Sequence, residues 1–141
     1  AFQTGAGWLG AILVGPDDTV LLEQGNIEIT ERICTGHAET ALMARASHAY
    51  DKAFLATCTL YTSAEPCAMC AGSIYWGGVG RVVYALSEKR LLALTGNDDQ
   101  NPTLDLPCRE VFARGQRAII VEGPFDDLAD EAAAVHAGYW G

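Results

Sequence analysis

Apolar positions along the chain fall into short blocks whose period changes repeatedly. "WLGAILVG" and "TVLLEQG" are apolar, partly β-branched runs on either side of Pro16-Asp17-Asp18, the pattern of a β-hairpin. From His37 to about Tyr50, Ala38, Ala41, Leu42, Ala46 and Ala49 recur at helical spacing among good helix formers, which predicts a helix. "ATCTLYTS" reads as a strand. Pro66 suits the first position of a second helix, running to about Trp76 and closed by Gly77-Gly78. "RVVYAL" predicts a strand, "SEKRLLALT" a helix capped by Ser87, and "GNDDQNPTLDLP" a polar loop. "CREVFARG" then reads as a short helix, "RAIIVEG" as a strand and "DDLADEAAAVHAG" as a C-terminal helix.

The order β-β-α-β-α-β-α-α-β-α joins one hairpin to crossover units. It predicts an α/β fold of three layers, α/β/α, around a five-stranded mixed sheet. No repeat, low-complexity stretch or linker interrupts it, so residues 1–141 are expected to form one domain, with no helix before the first strand. A chain of 141 residues buries a sizeable core without disulfides or a structural metal.

Composition narrows the partners. No apolar run approaches the roughly 20 residues that span a bilayer, and no signal-peptide pattern opens the chain. The expectation is a cytoplasmic protein with no membrane partner. Net charge is −9, and the last twenty residues, "EGPFDDLADEAAAVHAGYWG", hold five acidic side chains and no Lys or Arg. Gripping a polyanion takes Lys and Arg on phosphates. A small, neutral or weakly charged ligand is therefore expected, and no nucleic acid.

Two of the five cysteines stand three apart, Cys67 and Cys70 in "SAEPCAMCAGSIYW". They admit three readings: half of a structural metal finger, a redox pair, or part of a catalytic metal centre. The redox reading is the weakest, because a thioredoxin-type pair sits in a different strand-turn-helix context. Structural zinc takes four protein ligands, and only three histidines exist. His48 lies eleven residues beyond His37, about 16 Å away along a helix at ~1.5 Å per residue, so the two cannot share a metal. His136 has no second ligand beside it, and both read as ordinary histidines. His37, Cys67 and Cys70 together supply three ligands and leave one position open, the pattern of a catalytic zinc. The two cysteines lie one turn apart at a helix start, where both sulfurs face one point and the helix N-terminus favours thiolates. Cys58 reads as a buried inert thiol and Cys108 as helix packing, while Cys34, just before His37, stays a candidate neighbour of the site. Glu39 alone is a first-turn acid favoured by the helix dipole; beside a catalytic zinc it becomes the proton shuttle.

"HAE" at 37–39 with "PCAMC" at 66–70 resembles the signature of zinc-dependent nucleobase deaminases. From about Gly7 to the strand near Val121 the chain is similar to the cytidine deaminase-like superfamily. Within it the chain resembles the branch of guanine deaminases, fungal-type cytosine deaminases and tRNA adenosine deaminases. The resemblance implies a zinc-dependent aminohydrolase with one Zn2+ per subunit on His37, Cys67 and Cys70. Glu39 would pass protons from water to a ring nitrogen and then to the leaving amine. It further implies substrate contacts from Asn26, the backbone amide of Ala38, Trp76 and Asp98, and a homodimer. His136, Tyr139 and Trp140 in the tail would form a lid or pack at a dimer interface. "CAGSIYWGG" looks most like the guanine deaminase version, in which Trp76 lines the pocket. The chain departs from its relatives at Trp8-Leu9, where they place Pro-Phe, at Gly96-Asn97-Asp98-Asp99, where guanine deaminases show Phe-Asp-Asp, and in the inserted "QNPTLDLP". The implied substrate is a small heterocyclic base, guanine-like, cytosine-like or related. A tRNA adenosine deaminase is the same chemistry on a macromolecule, against which the acidic tail argues. A non-catalytic zinc-stabilised binding module would hold zinc and release no ammonia.

Overall fold

Strands form where β-branched and aliphatic residues lie between turn formers, and their burial shows which of them are central. In the computed structural model, which describes residues 10–95 and 104–125, β1 (Gly10–Val14) is buried at all five positions. A strand covered on both faces is an interior one. It pairs antiparallel with β2 (Val20–Gly25) through the expected hairpin. The turn is closed by the Gly15 N–H donating to Thr19 O at 2.9 Å and by the Thr19 N–H donating to Asp17 Oδ1 at 3.1 Å. On its other side β1 pairs antiparallel with β3 (Thr59–Ala64). β3 runs parallel to β4 (Arg81–Leu86), and β4 parallel to β5 (Ile120–Glu122). The order β2-β1-β3-β4-β5 is the five-stranded mixed sheet expected from the sequence.

Helices cover both faces. α1 (Ala38–Ala49) agrees with its expected span, with His37 and Tyr50 as its caps. A single turn, α2 (Lys52–Leu55), was not foreseen; Asp51 caps it by accepting the Phe54 N–H at 2.8 Å. Next come α3 (Ala68–Gly77), α4 (Glu88–Thr95) and α5 (Cys108–Ala113). α1, α3 and α5 bury Leu42, Ile74 and Phe112 against Leu13, Leu60 and Val82 on one face of the sheet. On the other, Val83, Ala85 and Leu86 pack with Leu91 of α4. Among the described residues no helix is long and apolar enough to cross a membrane.

Two boundaries differ from expectation, each for a local reason. α3 begins at Ala68 with Cys67 as its cap, so Pro66 precedes the helix and does not open it. The chain stays extended there because Glu65 is anchored through both its backbone and its carboxylate. α3 ends as foreseen, at Gly78 with φ 104°, the left-handed region that glycine enters without penalty. β5 is only three residues long, because Arg117 is drawn away to the end of α3. Its guanidinium donates to the Ile74, Tyr75 and Val79 carbonyls at 2.8–3.1 Å. Trp8-Leu9, Asp98, the C-terminal helix and the candidate lid of His136, Tyr139 and Trp140 lie outside the described residues.

Glu65, 5% exposed, follows β3 directly. Its Oε1 accepts the Glu88 N–H at 2.9 Å and its Oε2 the Cys108 N–H at 2.7 Å, so one carboxylate holds the starts of α4 and α5. Those amides belong to first turns, which lack intrahelical acceptors. Glu65→Ala strips both of their partner. The expected cost is about 3–5 kcal/mol, a fall in Tm on the order of 10 °C in thermal denaturation. Glu65→Gln, which keeps one acceptor oxygen, should fall about half as far. A drop below about 2 °C in Glu65→Ala would show that the clamp is dispensable.

Candidate metal centre

Two helix starts converge because α1 packs on α3. His37 caps α1 and Cys67 caps α3, both in extended conformation and neither making a side-chain cap hydrogen bond. Each is therefore free to turn toward the other. Cys67 Sγ lies 3.5 Å from His37 Nδ1, and with Cys70 Sγ the three donor atoms lie within 4.8 Å of one another. A tetrahedral zinc with bonds of about 2.0–2.3 Å needs ligands roughly 3.5 Å apart, so this set closes on the ion with small side-chain adjustment. Two sulfurs and one imidazole suit zinc, and three protein ligands leave one position for water or substrate.

Further groups hold those ligands in place. The second imidazole nitrogen, His37 Nε2, faces Glu28 Oε1 at 3.7 Å, the arrangement in which a carboxylate fixes the tautomer and orientation of a ligating histidine. Glu28 is itself positioned by a compact loop. Its N–H donates to Asn26 Oδ1 at 2.8 Å, and the Ile27 N–H donates to Gly36 O at 2.8 Å. Gly36 is required by this approach, since a Cβ there would lie 2.8 Å from the Glu28 nitrogen. On the other ligand, Thr40 Oγ1 donates to Cys70 Sγ at 3.1 Å.

Free of metal, the ligands form one coupled proton system. A hydrogen bond from Cys70, and a second from His37, hold the Cys67 thiol down at about 4. Cys70 is driven far up by the hydrogen bond to that thiolate and by burial. His37 rises to about 9, chiefly through its hydrogen bond to Cys67. Glu39 remains partly exposed as a residue, yet its carboxyl is pushed up to about 7 by burial first and then by the Cys67 thiolate, against the pull of His37. Glu88, two residues beyond β4, is raised to about 8, by burial first and then by Cys67, Glu65 and Glu39.

The other candidates divide. Ala38, 4% exposed, is the first residue of α1, so its N–H is one of the amides without an intrahelical acceptor. Asn26 lies in the loop that carries Glu28, with its Oδ1 committed to the Glu28 amide and its Nδ2 left as a donor. Trp76 is not brought to the centre: nine residues along α3 from Cys67, it is about 13 Å away at ~1.5 Å per residue, and it is 73% exposed. Cys34 is exposed and outside the ligand group, and His48 is an exposed residue in the last turn of α1. Cys58 and Cys108 are buried thiols, as expected. Sequence reasoning missed Glu28, Thr40 and the pair Glu65 and Glu88. Asn26 two residues before Glu28 is an Asx-turn pattern that marks the first; no local signal marks the pair.

Known proteins are similar to this chain in sequence and fold. The family model for the cytidine and deoxycytidylate deaminase zinc-binding region matches residues 1–86. A probable cytosine deaminase of Schizosaccharomyces pombe is 37% identical over 131 residues, covering 93% of this chain and 78% of that protein. Guanine deaminase of Bacillus subtilis is 37% identical over 106 residues, covering 74% of this chain and 67% of that one. The solved structure of a guanine deaminase from Nitrosomonas europaea superposes with a TM-score of 0.70 at 27% identity, over 95% of this chain and 73% of that one.

Two outcomes follow for metal binding. Glu28→Gln should weaken zinc affinity about 10–100-fold in competition with a chromogenic chelator, with the fold intact; unchanged affinity would remove Glu28 from the site. At pH 7 Cys67 is already a thiolate, whereas Cys70 and His37 carry protons that zinc must displace. Binding should therefore release about two protons per zinc in weakly buffered solution, and affinity should fall as pH is lowered. Affinity independent of pH between about 6 and 8 would contradict this proton inventory.

Proposed function

The chain belongs to the zinc-binding cytidine and deoxycytidylate deaminase family and is a zinc-dependent hydrolytic deaminase, and from that premise we propose that it removes the exocyclic amine of a small nucleobase-type heterocycle. The observation that carries the proposal is the three-ligand centre of His37, Cys67 and Cys70 with one position open, and Glu39 beside it in the first turn of α1. His37, Cys67 and Cys70 would hold the zinc, which would supply the Lewis acidity that brings the ionisation of water near neutral pH.

Glu39 does the proton work. Burial raises the Glu39 carboxyl from its ordinary value, which suits a group that both accepts and donates a proton. It takes a proton from the attacking water and delivers it to the ring nitrogen next to the amine-bearing carbon. It then carries the second proton to the departing amine, so that C–NH2 and water become C=O and ammonia. The free N–H of Ala38 suits a ring carbonyl, and Asn26 Nδ2 is available to a ring acceptor. The relatives named as cytosine and guanine deaminases support a free base or close analogue as substrate. A net charge of −9 supports a small molecule over tRNA. The exposed Trp76, in edge contact with Tyr75 at 5.7 Å between ring centroids, supports a homodimer that covers this end of α3.

The test is ammonia release from the zinc-loaded protein across a panel of amino-heterocycles, free bases beside nucleosides and tRNA. At least one free base should react. Glu39→Gln should retain zinc and lose about 10²–10⁴-fold in kcat. Zinc bound with no ammonia from any substrate would leave a binding module, and reaction confined to tRNA, with tight salt-sensitive binding, would move the activity to a macromolecule.

A further inference from the structure

Glu88 is a buried acid that neither the scaffold nor the zinc chemistry uses. It is 2% exposed, and among the described residues neither carboxyl oxygen has a hydrogen-bond partner. Glu65, the other buried acid of this region, is engaged at both oxygens. Burying an acid without partners is costly, and native folds retain such groups chiefly where function uses them.

Topology puts Glu88 at the catalytic end of the sheet. β3 and β4 are parallel, with Ala64 opposite Leu86. The residues just beyond them, Glu65-Pro66-Cys67 and Ser87-Glu88, therefore emerge side by side at the carboxyl edge, where open α/β sheets bind ligands. Glu65 Oε1 holds the Glu88 backbone there at 2.9 Å. The charges acting on the Glu88 carboxyl are those of Cys67, Glu65, Glu39 and His37, three of them members of the centre.

We propose that the Glu88 carboxyl recognises the ring N–H of the substrate, and so selects free bases over rings substituted at that nitrogen; the proposal rests on the deaminase reading above. In that reading Glu39 takes the ring nitrogen next to the amine-bearing carbon, and the Ala38 amide takes a carbonyl. Among the described residues, the ring N–H is the polar edge that this reading leaves without a partner. A carboxyl group accepts such a hydrogen in either protonation state. In a nucleoside that nitrogen carries the sugar, which would bring carbon against a buried acid and leave the acid unpaired. Sites built around a buried polar partner discriminate strongly against ligands that lack its counterpart, up to about 10⁴–10⁵-fold.

The experiment compares the best free base from the panel with its N-methyl counterpart, for example cytosine with 1-methylcytosine. Ammonia release, zinc content and Tm are followed for the parent, Glu88→Met and Glu88→Gln. The parent should prefer the free base by at least about 100-fold in kcat/KM. Glu88→Met should collapse that ratio by about 10-fold or more while keeping its zinc, with Tm unchanged or raised because an unpaired buried acid is gone. If Glu88→Met fails to fold, Glu88→Gln decides. Loss confined to the free base supports the proposal, and equal loss on both substrates overturns it. A ratio unchanged in zinc-loaded Glu88→Met, or a parent indifferent to N-methylation, overturns it and leaves the deaminase reading standing. A parent that releases ammonia from nothing overturns that reading, and this one with it.

Discussion

The carboxylate of Glu65, accepting the backbone N–H groups of Glu88 and Cys108 at once, is the constraint on which the rest of the described structure depends. It lies between the last residue of β3 and the Pro66-Cys67 pair that leads into α3. One side chain therefore fixes the end of a central strand, the starts of two helices and, two residues on, a metal ligand. Hydrogen bonds to a charged acceptor contribute about 1.5–3 kcal/mol each, and here both are buried and short. The consequence is positional: Cys67 cannot slide along the chain without breaking the clamp, and neither can Glu88.

The metal centre follows from what the two helix caps decline to do. An N-cap side chain ordinarily bonds its own first turn. Neither His37 nor Cys67 forms such a cap bond, and the positive ends of α1 and α3 are left beside the ligand group, where Cys67 interacts with Cys70 and His37. Those ends favour the thiolate at Cys67, which in turn raises its neighbours Cys70, His37 and Glu39. The polypeptide thus stores protons where a cation belongs, and zinc competes for the site against them. Glu28 and Thr40 bias that competition by orienting one imidazole and one sulfur. Asn26 takes part as well, because its carbonyl oxygen fixes the Glu28 backbone.

What was legible in the sequence is what chemistry forces to be local. Cys67 and Cys70 must lie one turn apart to meet one ion, and Glu39 must follow His37 closely to reach over the same helix start. Both spacings survive on the page as motifs. The sheet order was readable because a hairpin and parallel crossovers leave distinct hydrophobic periods. Glu65 and Glu88 were not readable, because their meaning arises only when two parallel strands end together, 23 residues apart in sequence. Trp76 shares a motif with the ligands, but two and a half helical turns separate it from Cys67, a spacing the motif alone does not convey. α2 is one turn long and carries no periodic signal, and the short β5 reflects Arg117 being recruited by α3, a contact no local pattern announces.

Three carboxyl groups meet at the carboxyl edge of this sheet, and their environments assign them different work. Glu65 is satisfied by two amides and belongs to the scaffold. Glu39 is held near 7 by burial and an adjacent thiolate, where a proton can move either way. Glu88 is held near 8 by burial without a partner, which is affordable only if binding supplies one. The charges of Glu65 and Glu39 add to burial in raising the cost of ionising Glu88. A dication on the ligands lowers that cost at Glu39, and a ring N–H lowers it at Glu88. Metal and substrate therefore both relieve the electrostatic strain at this edge of the sheet, so each should make the other's binding easier.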